Sequence, residues 1–390
     1  MTAPPRRRER LLGVIVFALT SLALLLVAEI GVRLLGLSPE RFANTARVVS
    51  PRKDVLLDGY PTNPRGYFDL DLREPAVRER FRSLAPRRID RIAQRAPWVV
   101  ECRYNSFRFR GPEPGPKEAG RARVVVVGDS FTEGQGVKEE DTSPRQLGAL
   151  LEARAPGRFE VLNAGRRAHD LPDLLQVFED ALALAPDVVD YAMVLIDGAR
   201  SPEFQARQQY VNDWILDRRR VLEDADDAAP PSPLVPRLWW LARDAWEGWR
   251  ISRETARWYR DMYGAANAGG WQQTRDALAR MDRETRERGG RFLVALWPLL
   301  VGLDGRYPFE EQHAEVRRAC DAARCERLDL LEAYRGRAAE TLWAHPTDHH
   351  PNETAHRIAA GHLARRLLGR EAASDRRSAQ DRRGGVAKDR

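Results

Sequence analysis

The chain predicts an α/β domain of three layers, a parallel sheet covered by helices on both faces, and three observations predict it. Five short runs, "RVVVVGD", "FEVLNAG", "DVVDYAMVLID", "RFLVALWP" and "ERLDLLEA", are continuously apolar rather than alternating. That is the pattern of strands buried on both faces. Helical stretches such as "SPRQLGALLEARA" and "DLPDLLQVFEDALALA" lie between them, and strands alternating with helices build parallel sheets.

The elements follow in order. Residues 1–10 are a basic segment with "PRRRER", and 11–36 are a membrane helix whose uncharged core runs from Leu11 to Ala28. About 18 residues at 1.5 Å each reach about 27 Å, close to the hydrocarbon thickness of a bilayer. The basic flank stays cytoplasmic under the positive-inside rule, which sends everything after Glu29 to the outer side. A cleaved signal peptide is the rival reading; Ala28 suits a cleavage site and Leu26 does not. Residues 37–120, rich in Pro and Arg with "YPTNPRGYFDL" and "YNSFRFRGPEPGP", read as an extracytoplasmic stalk and lead-in that also packs on the domain.

The α/β domain spans 121–369, with a charged helical insertion at about 201–290 broken by "AAPPSPLVP". After that break Leu234, Leu238, Leu241 and Ala245 recur at helical spacing, with Trp239, Trp240, Trp246 and Trp249 among them. Two readings are open: a helix packing its aromatic face on the domain, or a lid near a lipid surface, where tryptophan is favoured. Residues 370–390, almost without apolar side chains, read as a disordered tail.

Composition narrows the function. With 43% hydrophobic and 31% charged residues the chain is ordinarily globular. Its net charge of +7 comes from arginine spread along the chain, not gathered with aromatics in one stripe, so nucleic acid is not an expected partner. Cys102, Cys320 and Cys325 fit no zinc pattern, and neither metal nor cofactor is expected. Cys320 and Cys325 are open to two readings, a bridge in an oxidising compartment or two buried thiols.

The chemistry concentrates in two stretches. "VVVVGDSFTEGQGV" runs a buried strand into Gly128-Asp129-Ser130, placing Ser130 where parallel α/β sheets carry their reactive groups. By itself this is equally a turn and helix cap, with Asp129 bracing it. The stretch lacks the Lys-Ser/Thr ending of a phosphate-binding loop, which disfavours nucleotide hydrolysis. A serine needs a base, and "HPTDHHPNETAHR" near the end of the chain supplies Asp348, His349 and His350 before a helix. His356 falls on that helix and reads as a packing residue. Asn267 and Trp271 are candidates for lining a cleft, though Gly269 and Gly270 read first as a loop before a helix.

These stretches resemble the first and last blocks of the SGNH (GDSL-type) hydrolases, and "YNSFRFRGPEP" resembles the lead-in of membrane-anchored bacterial members. The resemblance covers about Tyr104 to Leu368. It implies a three-layer, flavodoxin-like domain and a serine esterase in which Ser130 is the nucleophile, His350 the base and Asp348 its orienter. The oxyanion hole would be formed by the N–H groups of Ser130 and Ala168, the latter where the family has glycine in its second block, here "NAGRRAHD". The third block aligns with "VLIDGAR", putting Ile196 where the family has a donor asparagine. Asp348 also stands two residues before His350, where many members have three.

The implied protein is an extracytoplasmic enzyme held in the bacterial cytoplasmic membrane by a single pass. Its substrates would be acyl or acetyl esters of cell-envelope carbohydrate or lipid. The alternatives are an O-acyltransferase on the same residues, or a non-catalytic binding protein on a degenerate fold.

Overall fold

The computed structural model describes residues 6–39, 41–43, 46–49, 55–60, 98–207, 220–222, 232–345 and 348–386. Most of "YPTNPRGYFDL" and much of "AAPPSPLVP" lie outside the described residues. The chain forms two units, Met1–Asn44 with Ile215–Arg253 and Thr45–Trp214 with Glu254–Arg390. It opens with α1 (Arg6–Leu34), of which Arg8–Leu34 is long and apolar enough to cross a membrane. After β1 (Arg41–Ala43), the strands β2 (Ala46–Val49), β3 (Val55–Tyr60) and β4 (Trp98–Arg103) form a small antiparallel sheet in the order β2-β3-β4. The stretch expected as a stalk therefore contributes strands to the second unit.

The main sheet begins with β5 (Ala122–Gly128), which turns through α2 (Ser130–Glu133) and α3 (Ser143–Arg154) to β6 (Phe159–Gly165). Next come α4 (Leu171–Leu182), β7 (Val188–Val194) and α5 (Pro202–Arg207). The three-residue β8 (Arg220–Leu222) pairs in parallel with β1 in the first unit. Then follow α6 (Arg237–Met262), α7 (Ala268–Glu287), β9 (Arg291–Trp297), α8 (Glu310–Ala323) and β10 (Glu326–Asp329). The short antiparallel pair β11 (Trp343–His345) and β12 (Asp348–Pro351) precedes α10, after the single turn α9 (Leu331–Tyr334); α10 covers Glu353–Val386.

All five apolar runs enter one parallel sheet, ordered β10-β9-β7-β5-β6. Numbered within the sheet this is 2-1-3-4-5, the flavodoxin-like order. From β5 the chain steps one way to β6, then back across β5 to β7. Because crossovers are right-handed, the reversal puts α3 and α4 on opposite faces. α3 packs with α10, and α4 packs with α7, which in turn meets α8. The interior strands are buried along their length, β7 at every residue. That explains why they read as unbroken apolar runs.

Two boundaries differ from the sequence reading. α7, within the stretch expected as an insertion, covers the sheet next to β9. Thr274, Ala277, Leu278, Met281 and Thr285 bury one stripe of it, at the three- and four-residue spacing of a core-facing helix. The second difference is at the C-terminus, where α10 continues to Val386, through most of the stretch expected as a disordered tail. Its Ala, Glu, Arg and Gln residues are good helix formers, and extending a formed helix avoids the nucleation cost.

Asp190 breaks the apolar pattern of β7. Its register partners are Val126 and Leu293, its carboxylate oxygens have no hydrogen-bond partner among the described residues, and burial pushes its acid up to about 8. The folded state thus holds the proton more tightly than the unfolded chain. The Asp190 contribution to stability should be fully present below about pH 4 and decline as pH rises toward 8, by on the order of 1 kcal/mol per pH unit. Asp190→Asn, which has nearly the same shape and no titration, should lack this slope in thermal midpoints measured from pH 5 to 8. Equal slopes in the two proteins would mean that Asp190 is ionised throughout.

Candidate active site

The site forms at the carboxyl edge of the sheet, beside β5, where the strand order reverses. Open α/β sheets leave a crevice at this switch point. Gly128 ends β5 against the α2 turn, where an added Cβ would lie 2.2 Å from Thr132 Oγ1 and 2.8 Å from the Ala192 carbonyl oxygen. Its register partner Gly165 is under the same constraint, since a Cβ there would fall 2.1 Å from the Glu133 nitrogen. Glycine at both strand ends lets the α2 turn lie flat on the sheet edge. Asp129 caps this turn, its Oδ1 accepting the Phe131 N–H at 2.8 Å. Ser130 is the first residue of the turn and half-buried.

β12 brings Asp348 and His350 to the same place. His350 Nε2 lies 2.8 Å from Ser130 Oγ, and His350 Nδ1 is hydrogen-bonded to Asp348 Oδ1. With the carboxylate accepting from Nδ1, Nε2 is left as the acceptor of the serine proton. Asp348 is fixed from two further directions: its Oδ1 accepts the His350 N–H at 3.1 Å, and its Oδ2 accepts from Gln135 Nε2 at 3.0 Å. Phe131 packs edge-on against the His350 ring at 5.5 Å and against Trp297 at 5.9 Å. The imidazole therefore has an apolar wall and a single orientation. The spacing of two between Asp348 and His350 fits the extended β12, where alternate residues share a face.

Ala168 and Ile196 lie in the loops after β6 and β7, on the same edge of the sheet. Ala168 has φ +61°, the left-handed conformation that glycine adopts without a Cβ penalty. Ile196 is half-buried in the 3₁₀ turn Leu195–Asp197 and brings no side-chain donor. Asp197, next to it, is fully buried and accepts from the Val194 N–H at 2.9 Å and the Tyr191 hydroxyl at 3.1 Å. Burial and the neighbouring Asp129 hold its acid well above the carboxylate range. Burial likewise pushes Asp129 up to about 6.

A second network supports the Ala168 loop. Arg167 Nη1 donates to both oxygens of Asp58, at 2.8 and 2.9 Å, and its Nε pairs with Glu133 at 2.5 Å. Both carboxylates are 1% exposed, and Tyr104 also donates to Glu133. Burial opposes the Arg167 charge, but the flanking Asp58 and Glu133 carboxylates raise it well above its usual value. The guanidinium thus ties the loop after β6 to the α2 turn and to β3. Neither Gln135 nor Arg167 stands out in the sequence. Gln135 was visible inside "FTEGQGV" as an amide two residues past the turn, but its partner lies 213 residues away.

The remaining candidates have structural roles. His356 is fully buried, its Nδ1 accepts the Ser143 N–H at 3.1 Å, and burial lowers its pKa to about 3. Asn267 is a buried clamp, donating to the Ala199 and Met262 carbonyls and accepting the Ser201 N–H. Trp271 is 6% exposed and packs on Tyr263, so neither residue lines a cleft. Gly269 and Gly270 belong to the first turn of α7 rather than to a loop. His349 stacks on Trp343 at 3.8 Å, and Cys320 and Cys325 are buried thiols without a bridge.

No family model and no curated protein matches the chain. Solved structures similar to it include LAE5, an alpha/beta hydrolase enzyme from the metagenome of Lake Arreo, Spain, at 16% identity and TM-score 0.36, over 64% of this chain and 96% of that one. A catalytic mutant of Axe2, an acetylxylan esterase from Geobacillus stearothermophilus, aligns at 15% identity and TM-score 0.37, over 64% of this chain and 95% of that one. TesA aligns at 15% identity and TM-score 0.38, over 63% and 99% of the two chains.

Proposed function

We propose that this protein is a serine ester hydrolase of the SGNH (GDSL) type, held in the bacterial cytoplasmic membrane by α1 with its α/β domain outside. Its proposed substrates are acyl or acetyl esters of cell-envelope carbohydrate or lipid. The observation that carries the reading is the hydrogen-bonded series Ser130, His350, Asp348 at the switch point of the sheet. Ser130 Oγ attacks the ester carbonyl carbon while His350 Nε2 takes its proton. The imidazolium then protonates the departing alkoxide, leaving an acyl-Ser130 ester. Water, deprotonated by His350, attacks that ester and releases the acid, and the proton returns to Ser130. Asp348 orients the ring and stabilises its charged form. The N–H groups of Ser130 and Ala168 serve the oxyanion.

Turnover of p-nitrophenyl acetate by the full chain in detergent tests this, and an oligosaccharide acceptor separates two outcomes. Acyl transfer to sugar in preference to water would make the enzyme an O-acyltransferase on the same residues. Ile196 favours a different reading, a binding protein on a degenerate fold, because loss of one oxyanion donor typically costs about 10²- to 10³-fold in rate. Absence of any turnover would favour it. Ile196→Asn restores an amide at a half-buried position and should raise kcat by about tenfold or more, with little change in thermal midpoint. A slower mutant would mean that another group already supplies the donor.

A further inference from the structure

α6 begins at the end of α1. Both oxygens of Glu29 accept backbone N–H groups there, from Arg237 and from Leu238, each at 2.8 Å. Arg33, paired with Glu29 at 2.6 Å, donates to the carbonyls of Pro233 and Val235. The first turn of α6 has free N–H groups that an acceptor must satisfy, and α1 supplies a carboxylate for the purpose. Glu29 is also the first charge after the uncharged run Leu11–Ala28. Wherever that run lies in hydrocarbon, Glu29 marks its boundary with water, and α6 starts at the same depth.

The exposed side of α6 suits that depth. Its buried side runs through Trp240, Asp244 and Gly248. Trp239, Trp246 and Trp249 are 62%, 58% and 54% exposed, and Leu234 just before the helix is 90% exposed. The spacings of seven and three put the three indoles on one face, spread over about 15 Å of helix. Arg250 lies over the Trp246 ring at 5.9 Å and Arg253 over Trp249 at 4.8 Å. Arg243 is exposed as well, whereas Asp244 is buried and Glu247 half-buried. Indoles interleaved with outward arginines are what a bilayer interface with anionic headgroups attracts. So many charges exclude a second span.

We propose that α6, from Leu234 to Arg253, lies along the headgroup region of the membrane that α1 enters, with Trp239, Trp246 and Trp249 in the interface. This rests on α1 being a membrane anchor. The consequence is a fixed attachment: the anchor and the interfacial helix, joined at Glu29, present the chain to the bilayer from two directions.

The test uses the full chain in phosphatidylglycerol–phosphatidylcholine vesicles whose phosphatidylcholine carries bromine on the acyl chains close to the headgroup. α1 contains no tryptophan, so quenching of indole emission reports residues outside the span. The expected result is flotation with the vesicles, emission quenched by the brominated lipid, and loss of that quenching when all three indoles are changed to Phe. Each single Trp→Phe change should remove part of it. Flotation without quenching would overturn the inference and leave the anchor intact. Failure to float would overturn the anchor, and the inference with it. Quenching confined to Trp239 would mean that α6 rises away from the surface. Quenching undiminished in the triple variant would assign it to other tryptophans. Either result would also overturn the inference.

Discussion

Ser130→Ala is expected to lower p-nitrophenyl acetate turnover by about 10⁴-fold or more, because nucleophile and base act as a unit and removing either forfeits nearly the whole covalent route. The thermal midpoint should barely move. Ser130 is half-buried, and its hydroxyl contacts His350 rather than the core, so the substitution opens no cavity. This separates the loss from unfolding. Comparable turnover in wild type and mutant would remove Ser130 from the chemistry.

The second large effect is expected on stability. Arg167→Met removes the cation shared by Asp58 and Glu133 and leaves two carboxylates, each 1% exposed, without it. Breaking a buried ion pair in this way costs about 3–5 kcal/mol. For a unit of this size that should lower the thermal midpoint by on the order of 10 °C. Arg167→Lys keeps the charge but cannot span both carboxylates, so an intermediate midpoint is expected. Because Ala168 follows directly, ester turnover should fall in both variants at temperatures where they remain folded. An unchanged midpoint in Arg167→Met would mean that the two acids are protonated, or are held by other partners.

The contrast between Ser130 and Arg167 shows what the sequence could reveal. Ser130 and His350 were legible because each stands in a short stretch whose neighbours constrain it: a buried strand ending in glycine before the serine, an acid two residues before the histidine. The three interior strands, β5, β7 and β9, were legible for a related reason, since burial on both faces leaves a nearly continuous apolar run that no exposed segment needs. Arg167 offered no such local signal. Its partners Asp58 and Glu133 lie 109 and 34 residues away, and one arginine among 64 basic residues is not conspicuous. α7 was obscured differently: "AGGWQQTRDALARMDRETRE" buries one stripe beneath a charged surface, and its charges made it resemble an insertion. The same dilution affected α6, where a mixed surface concealed which tryptophans face outward.

The most direct measurement is reaction of the full-length protein with a fluorophosphonate, followed by intact mass and peptide mapping. A serine whose proton is taken by His350, itself held by Asp348, should form one phosphonyl adduct per chain, located on Ser130. The adduct should vanish in Ser130→Ala and form far more slowly in His350→Ala. An unmodified protein, or an adduct on a serine other than Ser130, would contradict the assignment of Ser130 as a nucleophile.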